Sequence, residues 1–115
     1  MAYQASCHCG AVAIEVESDI PREAISCNCS HCRRKGFLLT FVPRDQPRIV
    51  RGEDKLAEYR FNKKVIAHRF CRTCGVEAFA EGPGPNGPMA MVNLRCVPEA
   101  DLDALKINHF DGASR

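Results

Sequence analysis

Seven of the eight cysteines fall into three short clusters, and their spacing suits metal ligation. The clusters are Cys7-His8-Cys9-Gly10, Cys27-Asn28-Cys29-Ser30-His31-Cys32 and Cys71-Arg72-Thr73-Cys74-Gly75, while Cys96 stands alone. A C-x-x-C-G turn is a zinc knuckle: two intervening residues let both sulfurs face one ion, and the glycine lets the backbone turn away. Backbone N–H groups in such a turn can point at the sulfurs and offset their charge. A structural zinc needs four ligands, so Cys71 and Cys74 require a second pair. Cys7 and Cys9 offer two sulfurs and only two. The four together make a closed tetrahedral site that staples the N-terminal strand to the middle of the chain. Zinc and four thiolates sum to a charge of −2, and Arg72 is placed to soften it.

The middle cluster differs. Cys27, Cys29 and Cys32 present three thiolates from one short segment. Three protein ligands and an open fourth position characterise a catalytic or substrate-binding zinc. The expectation is therefore two Zn2+ sites, the second held less firmly and partly occupied. Either Cys96 or His31 could close the second site instead. His8 and His31 lie beside ligands, where side chains usually point away from the ion. The Arg33-Arg34-Lys35 run could attract an anionic substrate to the opening, or form a solvated face.

Disulfides are the competing use of eight cysteines. They need an oxidising compartment. The N-terminal MAYQASCHCG lacks the basic-then-apolar pattern of a signal peptide, and no window is long and apolar enough for a membrane span. The expectation is a cytoplasmic protein whose clustered thiols bind metal. A net charge of +2 argues against a nucleic-acid partner.

The elements that must position these thiols read as short strands. VAIEVES (12–18) alternates apolar and polar residues, the period of a half-buried strand. EAISC (23–27), FLLTFV (37–42), LAEYRF (56–61), VIAHRFC (65–71), VEAFAE (76–81) and MAMVNL (89–94) continue the pattern. Turn signals separate them, including the Gly/Pro-rich GPGPNGP at 82–88. SHCRRKG (30–36) predicts a short helix stopped by Gly36, and Pro98 with EADLDALK predicts a second. The terminal GASR is expected to fray. The fold class is mainly β, a small antiparallel domain with one or two short helices, and residues 1–115 form a single domain. Phe37, Phe41, Phe61, Phe70 and Phe79 are expected to fill the core, with Phe37 also able to line a pocket. His68 and His109 read as surface or packing residues, and Cys96 as a small buried one.

The elements CHCGAV (7–12), CNCSHCRRKG (27–36), FCRTCG (70–75) and VNLRC (92–96) resemble the glutathione-dependent formaldehyde-activating enzyme family, which includes the centromere protein V group. The resemblance spans roughly residues 6–96. It implies a tent-like β fold around a structural zinc at Cys7, Cys9, Cys71 and Cys74, and a second zinc near the substrate at Cys27, Cys29 and Cys32. The implied activity is carbon–sulfur lyase chemistry of the S-(hydroxymethyl)glutathione synthase type, joining formaldehyde to the glutathione thiol. The partners would be a small thiol and an aldehyde, with His31 as a proton shuttle. The zinc ligands carry over residue by residue; a glutathione pocket does not. The alternative is a zinc-stapled β module that binds a partner without turnover. Nothing in the sequence fixes the oligomeric state.

Overall fold

A computed structural model of the chain describes residues 2–60, 66–85 and 87–114. Its described residues form two sheets. The smaller has the order β1 (Tyr3–Ser6), β2 (Ala13–Val16), β5 (Pro47–Arg51). The larger has the order β10 (Lys106–Phe110), β3 (Glu23–Cys27), β4 (Leu39–Pro43), β9 (Gly87–Asn93), β8 (Phe79–Gly84), β7 (Ala67–Cys71), β6 (Leu56–Tyr59). The mainly β expectation holds. Its ladders are antiparallel except one: β10 runs parallel to β3, with Lys106 opposite Glu23 and Phe110 opposite Cys27.

The strands at 23–27, 39–43, 56–59, 67–71, 79–84 and 87–93 lie where alternation placed them, with shifted ends. Phe61 and Val65, at two of those ends, fall outside the described residues. Within GPGPNGP, Gly82, Pro83 and Gly84 are strand and pair with Met89, Pro88 and Gly87, while Asn86 falls outside the described residues. Three strands carried too little pattern to be read. β1 offers only Tyr3 and Ala5 as buried positions, β10 buries almost nothing, and β5 begins at a proline beside a stretch that reads as turn.

Helix α1 (Ser30–Lys35) forms as expected, and Gly36 ends it at φ 70°. The second helix does not form. Residues 98–105 make turns and one 3₁₀ turn at Leu102–Ala104, and β10 starts at Lys106. Asp101 Oδ1 instead accepts from the Asp103 N–H at 3.2 Å and stabilises a local turn, and Lys106, the last residue of the expected helix, pairs with Glu23 of β3. The terminal segment is also tied down. Gly112–Ser114 form a 3₁₀ turn, and the Ala113 N–H donates to Asn28 Oδ1 at 2.9 Å.

Period-two alternation gives the large sheet two different faces. Leu38, Phe79 and Val92 point into the main core with Tyr3, Ile14 and Val16 of the small sheet. Their chain neighbours Leu39, Ala80 and Met91 point the other way, into a second cluster with Phe37 and Cys32. Phe41 belongs to neither core and is 43% exposed. Phe70 is half-buried under the Lys35 ammonium, which lies 5.4 Å from its ring centre.

Gly52 holds the small sheet against the first cysteine loop. Its φ is +84°, and a Cβ there would meet the Ala11 carbonyl oxygen at 2.0 Å. That close approach lets Arg51 Nε donate to the Gly10 carbonyl at 2.7 Å. Gly52→Ala is expected to destabilise the fold by about 1–3 kcal/mol from backbone strain, with the clash added. A lower denaturant midpoint at unchanged slope checks this.

Candidate metal centre

Two loops of the same design supply the first thiol group. In the β1–β2 loop, the Gly10 N–H donates to the Cys7 carbonyl at 3.2 Å and the Cys7 N–H to the Val12 carbonyl at 3.1 Å. In the loop after β7, the Gly75 N–H donates to the Cys71 carbonyl at 2.8 Å and the Cys71 N–H to the Val76 carbonyl at 3.0 Å. Gly10 and Gly75 share a φ of 81°, which side-chain-bearing residues rarely adopt.

These loops bring Cys7, Cys9, Cys71 and Cys74 together, all four sulfurs within 4.8 Å of one another. Cys9 Sγ lies 3.7 Å from both Cys7 Sγ and Cys71 Sγ. Those separations are far beyond a disulfide bond. They match the edge of a tetrahedron with metal–sulfur bonds of about 2.3 Å, roughly 3.8 Å. The backbone is arranged for anionic sulfur: the Val12 N–H donates to Cys7 Sγ at 3.3 Å and the Thr73 N–H to Cys71 Sγ at 3.4 Å. Burial pushes the Cys74 thiol up, but backbone N–H groups of Cys9 and Val76 outweigh it and bring it down to about 6.

The second thiol group sits at the junction of β3 and α1. Cys27, Cys29 and Cys32 also have their sulfurs within 4.8 Å of one another. Cys29 caps the helix, its sulfur accepting from the Cys32 N–H at 3.3 Å, and Cys27 Sγ accepts from the Cys29 N–H at 3.5 Å. Burial raises the Cys29 thiol, yet backbone donors at Cys32 and His31 win and lower it. Burial drives the Cys32 thiol well up. The strand β10 and its extension clamp this loop. Asn28 Nδ2 donates to Asp111 Oδ1 at 3.1 Å, and the Asn28 N–H donates to the Phe110 carbonyl at 3.2 Å. Gly112 packs so close that a Cβ on it would lie 2.4 Å from Cys27 Sγ.

Neither proposed fourth ligand joins this trio. Cys96 is buried in the main core, donating to the Glu77 carbonyl at 3.6 Å and accepting from Asn93 Nδ2 at 3.6 Å. Burial pushes its thiol up to about 11. His31 turns toward other rings, its centre 4.0 Å from that of His68 and 5.7 Å from that of Phe37. Burial, then the charges of His68 and Lys35, lower its pKa to about 4.

His68 packs in the interior rather than at the surface, and it carries a buried polar contact as well. It is 5% exposed, and its Nδ1 lies 2.8 Å from the buried Glu77 Oε2. A carboxylate only accepts, so Nδ1 carries the proton in this contact. Lys35 Nζ lies 3.9 Å from the other Glu77 oxygen. The atoms of His31, His68 and Glu77 are close enough for a metal, yet Glu77 is already engaged by His68 and Lys35. Glu77 escaped sequence analysis because a lone acid before a strand carries no signal. The basic run divides: Lys35 reaches Glu77, Arg34 donates to the Ser30 carbonyl of its own helix at 2.8 Å, and Arg33 lines a cavity. His8 is exposed between Cys7 and Cys9.

Two cavities meet at the second thiol group. One, of about 480 Å³, carries the charged and polar side chains Asn28, Arg33, Arg95, His109 and Asp111 among apolar ones. The other, of about 500 Å³, is walled by apolar residues, with His68 among them. Cys27, Cys32, Phe37 and Phe110 belong to both.

Paired cysteine loops on a β scaffold, with a second thiol trio between two cavities, define a β protein whose cysteine groups could hold metal ions. The sequence model described as glutathione-dependent formaldehyde-activating enzyme matches residues 2–109, and the chain belongs to that family. It is also similar to a crystal structure of a Rhodobacter sphaeroides protein, with a TM-score of 0.77 and 33% identity, covering 91% of this chain and 99% of that one. Among the described residues no helix is long and apolar enough to cross a membrane.

The two thiol groups and Cys96 should separate in a metal assay. Cys71→Ser is expected to lower bound metal and the thermal midpoint together, because the first group ties the chain. Cys96→Ala is expected to leave metal content unchanged. Elemental analysis of the purified variants checks both.

Proposed function

We propose that residues 1–115 act as one zinc-dependent domain that joins an aldehyde to a thiol. The first group, Cys7, Cys9, Cys71 and Cys74, would hold a structural zinc, and Cys27, Cys29 and Cys32 a second with an open position. The observation that carries this reading is the meeting of two cavities at a trio of close, N–H-supported sulfurs. A closed four-sulfur site has no such access. Zinc at the trio would supply an open coordination position that favours a thiolate at neutral pH.

The reaction balances without a redox partner. The substrate sulfur bonds to the carbonyl carbon, the carbonyl π electrons move to oxygen, and the thiol proton ends on that oxygen. His68 stands in the wall of the apolar cavity, oriented by Glu77, and is better placed than His31 to pass the proton. Arg33 and Arg95 line the other cavity, where they outnumber the Asp111 carboxylate and would attract carboxylates of a thiol such as glutathione. Carbon–sulfur lyase chemistry of the S-(hydroxymethyl)glutathione synthase type fits this arrangement. Eight free cysteines favour a reducing, cytoplasmic setting.

Two zinc ions per chain are expected under reducing, zinc-replete conditions, by elemental analysis. Cys29→Ser should keep the fold and the first zinc but lose the second, and thiol–aldehyde adduct formation should drop to the uncatalysed rate. A wild-type rate equal to the uncatalysed one would leave a binding module. His68→Gln should slow turnover by about 10²-fold or more while zinc content stays constant.

A further inference from the structure

We propose that the aldehyde accepted at the second thiol group carries an apolar chain of several carbons, held in the cavity between the thiols and His68. This inference rests on the proposed thiol–aldehyde reaction and specifies its carbonyl substrate.

The size of the cavity points this way. Formaldehyde is little larger than water, which occupies roughly 30 Å³ in the liquid. The apolar cavity measures about 500 Å³. A site built for formaldehyde alone has no use for that volume, and apolar space of this size is typical of sites for larger organic ligands.

The lining decides the chemical class. Ile25, Leu39, Phe41, Ala80 and Met91 supply the wall, from strands β3, β4, β8 and β9. They come from the outward face of the large sheet, where alternation places apolar side chains away from the main core. An outward sheet face normally carries polar residues. Here Leu39, Ala80 and Met91 are at most 8% exposed, and Phe41 extends the wall to the surface at 43%. No charged side chain lines this cavity among the described residues, so a glutathione backbone would lose hydration there without recompense. The charged partner has its own chamber on the other side of Cys27 and Cys32, with Arg33 and Arg95.

The polar groups stand where a carbonyl needs them. Cys27, Cys29 and Cys32 border the cavity at one side, and the His68 imidazole borders it too. An aldehyde lying there would have its reactive end among the polar groups and its hydrocarbon tail along Leu39, Met91 and Phe41. The adduct step is the one already written: a carbon–sulfur bond forms and the thiol proton moves to the carbonyl oxygen. The tail takes no part in it and contributes binding alone.

The test uses the zinc-loaded full chain with glutathione or mercaptoethanol as the thiol. Adduct formation is followed by exchange NMR for formaldehyde, acetaldehyde, butanal and hexanal, each above its uncatalysed rate. Burial of each methylene is worth about 0.8 kcal/mol, so kcat/KM is expected to rise roughly two- to fourfold per carbon. Phe41→Glu puts a charge on the wall at a half-exposed position, where folding tolerates it, and zinc content checks integrity. It is expected to flatten the series by cutting the hexanal-to-formaldehyde ratio. A flat or falling wild-type series, with formaldehyde turned over, overturns the inference and leaves the thiol–aldehyde reaction standing. A rising series that Phe41→Glu does not flatten also overturns it. No turnover of any aldehyde with either thiol overturns both.

Discussion

Four sulfurs from two loops must meet at one point, and the rest of the molecule depends on that meeting. Cys9 and Cys71 stand 62 residues apart in sequence and 3.7 Å apart in space. Their loops join β1 to β2 in the small sheet and β7 to β8 in the large one. A chain of 115 residues buries a limited core, so such a tie matters more than in a larger protein. Cys7 and Cys71 are also core residues, packed with Val12, Leu56 and Phe79. A metal held there would therefore act on the same side chains that apolar burial fixes. Binding energy at a structural thiolate site becomes folding energy because the unfolded chain has no preformed site.

The second thiol group is held differently, and the difference suits a different task. It rides on one strand end and one short helix, with all three sulfurs drawn from six consecutive residues. Nothing distant in the chain adds a fourth sulfur. What distant segments add is shape: β10 and the turn after it press on Asn28 and Cys27, and β4, β8 and β9 build the apolar wall. The parallel β10–β3 ladder thus has a local consequence. It extends the sheet so that Phe110 reaches both cavities.

The alternation of the large sheet links stability to specificity. Phe79 and Val92 pair across β8 and β9 and fill the main core; Ala80 and Met91 pair one step along and line the cavity. A one-residue slip in register would exchange the two sets and bury the wrong face. The buried Glu77 sits just before β8, and its partners come from β7 and from α1. Its carboxylate is kept in the interior by an imidazole and an ammonium, the pairing that buried charge requires.

Local chemistry was legible in the sequence wherever it depended on close neighbours. The C-x-C-G, C-x-C-x-x-C and C-x-x-C-G spacings set which sulfurs could share an ion. Gly36 set the end of α1, and alternation set most strands. The pairing of Cys7 and Cys9 with Cys71 and Cys74 could be reached by counting ligands. Everything that required one segment to find another was decided by the tertiary structure. The 98–105 segment has a helical composition, yet the exposed edge of β3 drew the chain that follows into a ladder. Gly112 carries no motif, but docking places it against Cys27 Sγ. His68 and Glu77 are nine residues apart and individually unremarkable; burial in one place made them a hydrogen-bonded pair. Spacing along a chain fixes what a loop can bind, whereas burial and long-range pairing fix what surrounds it.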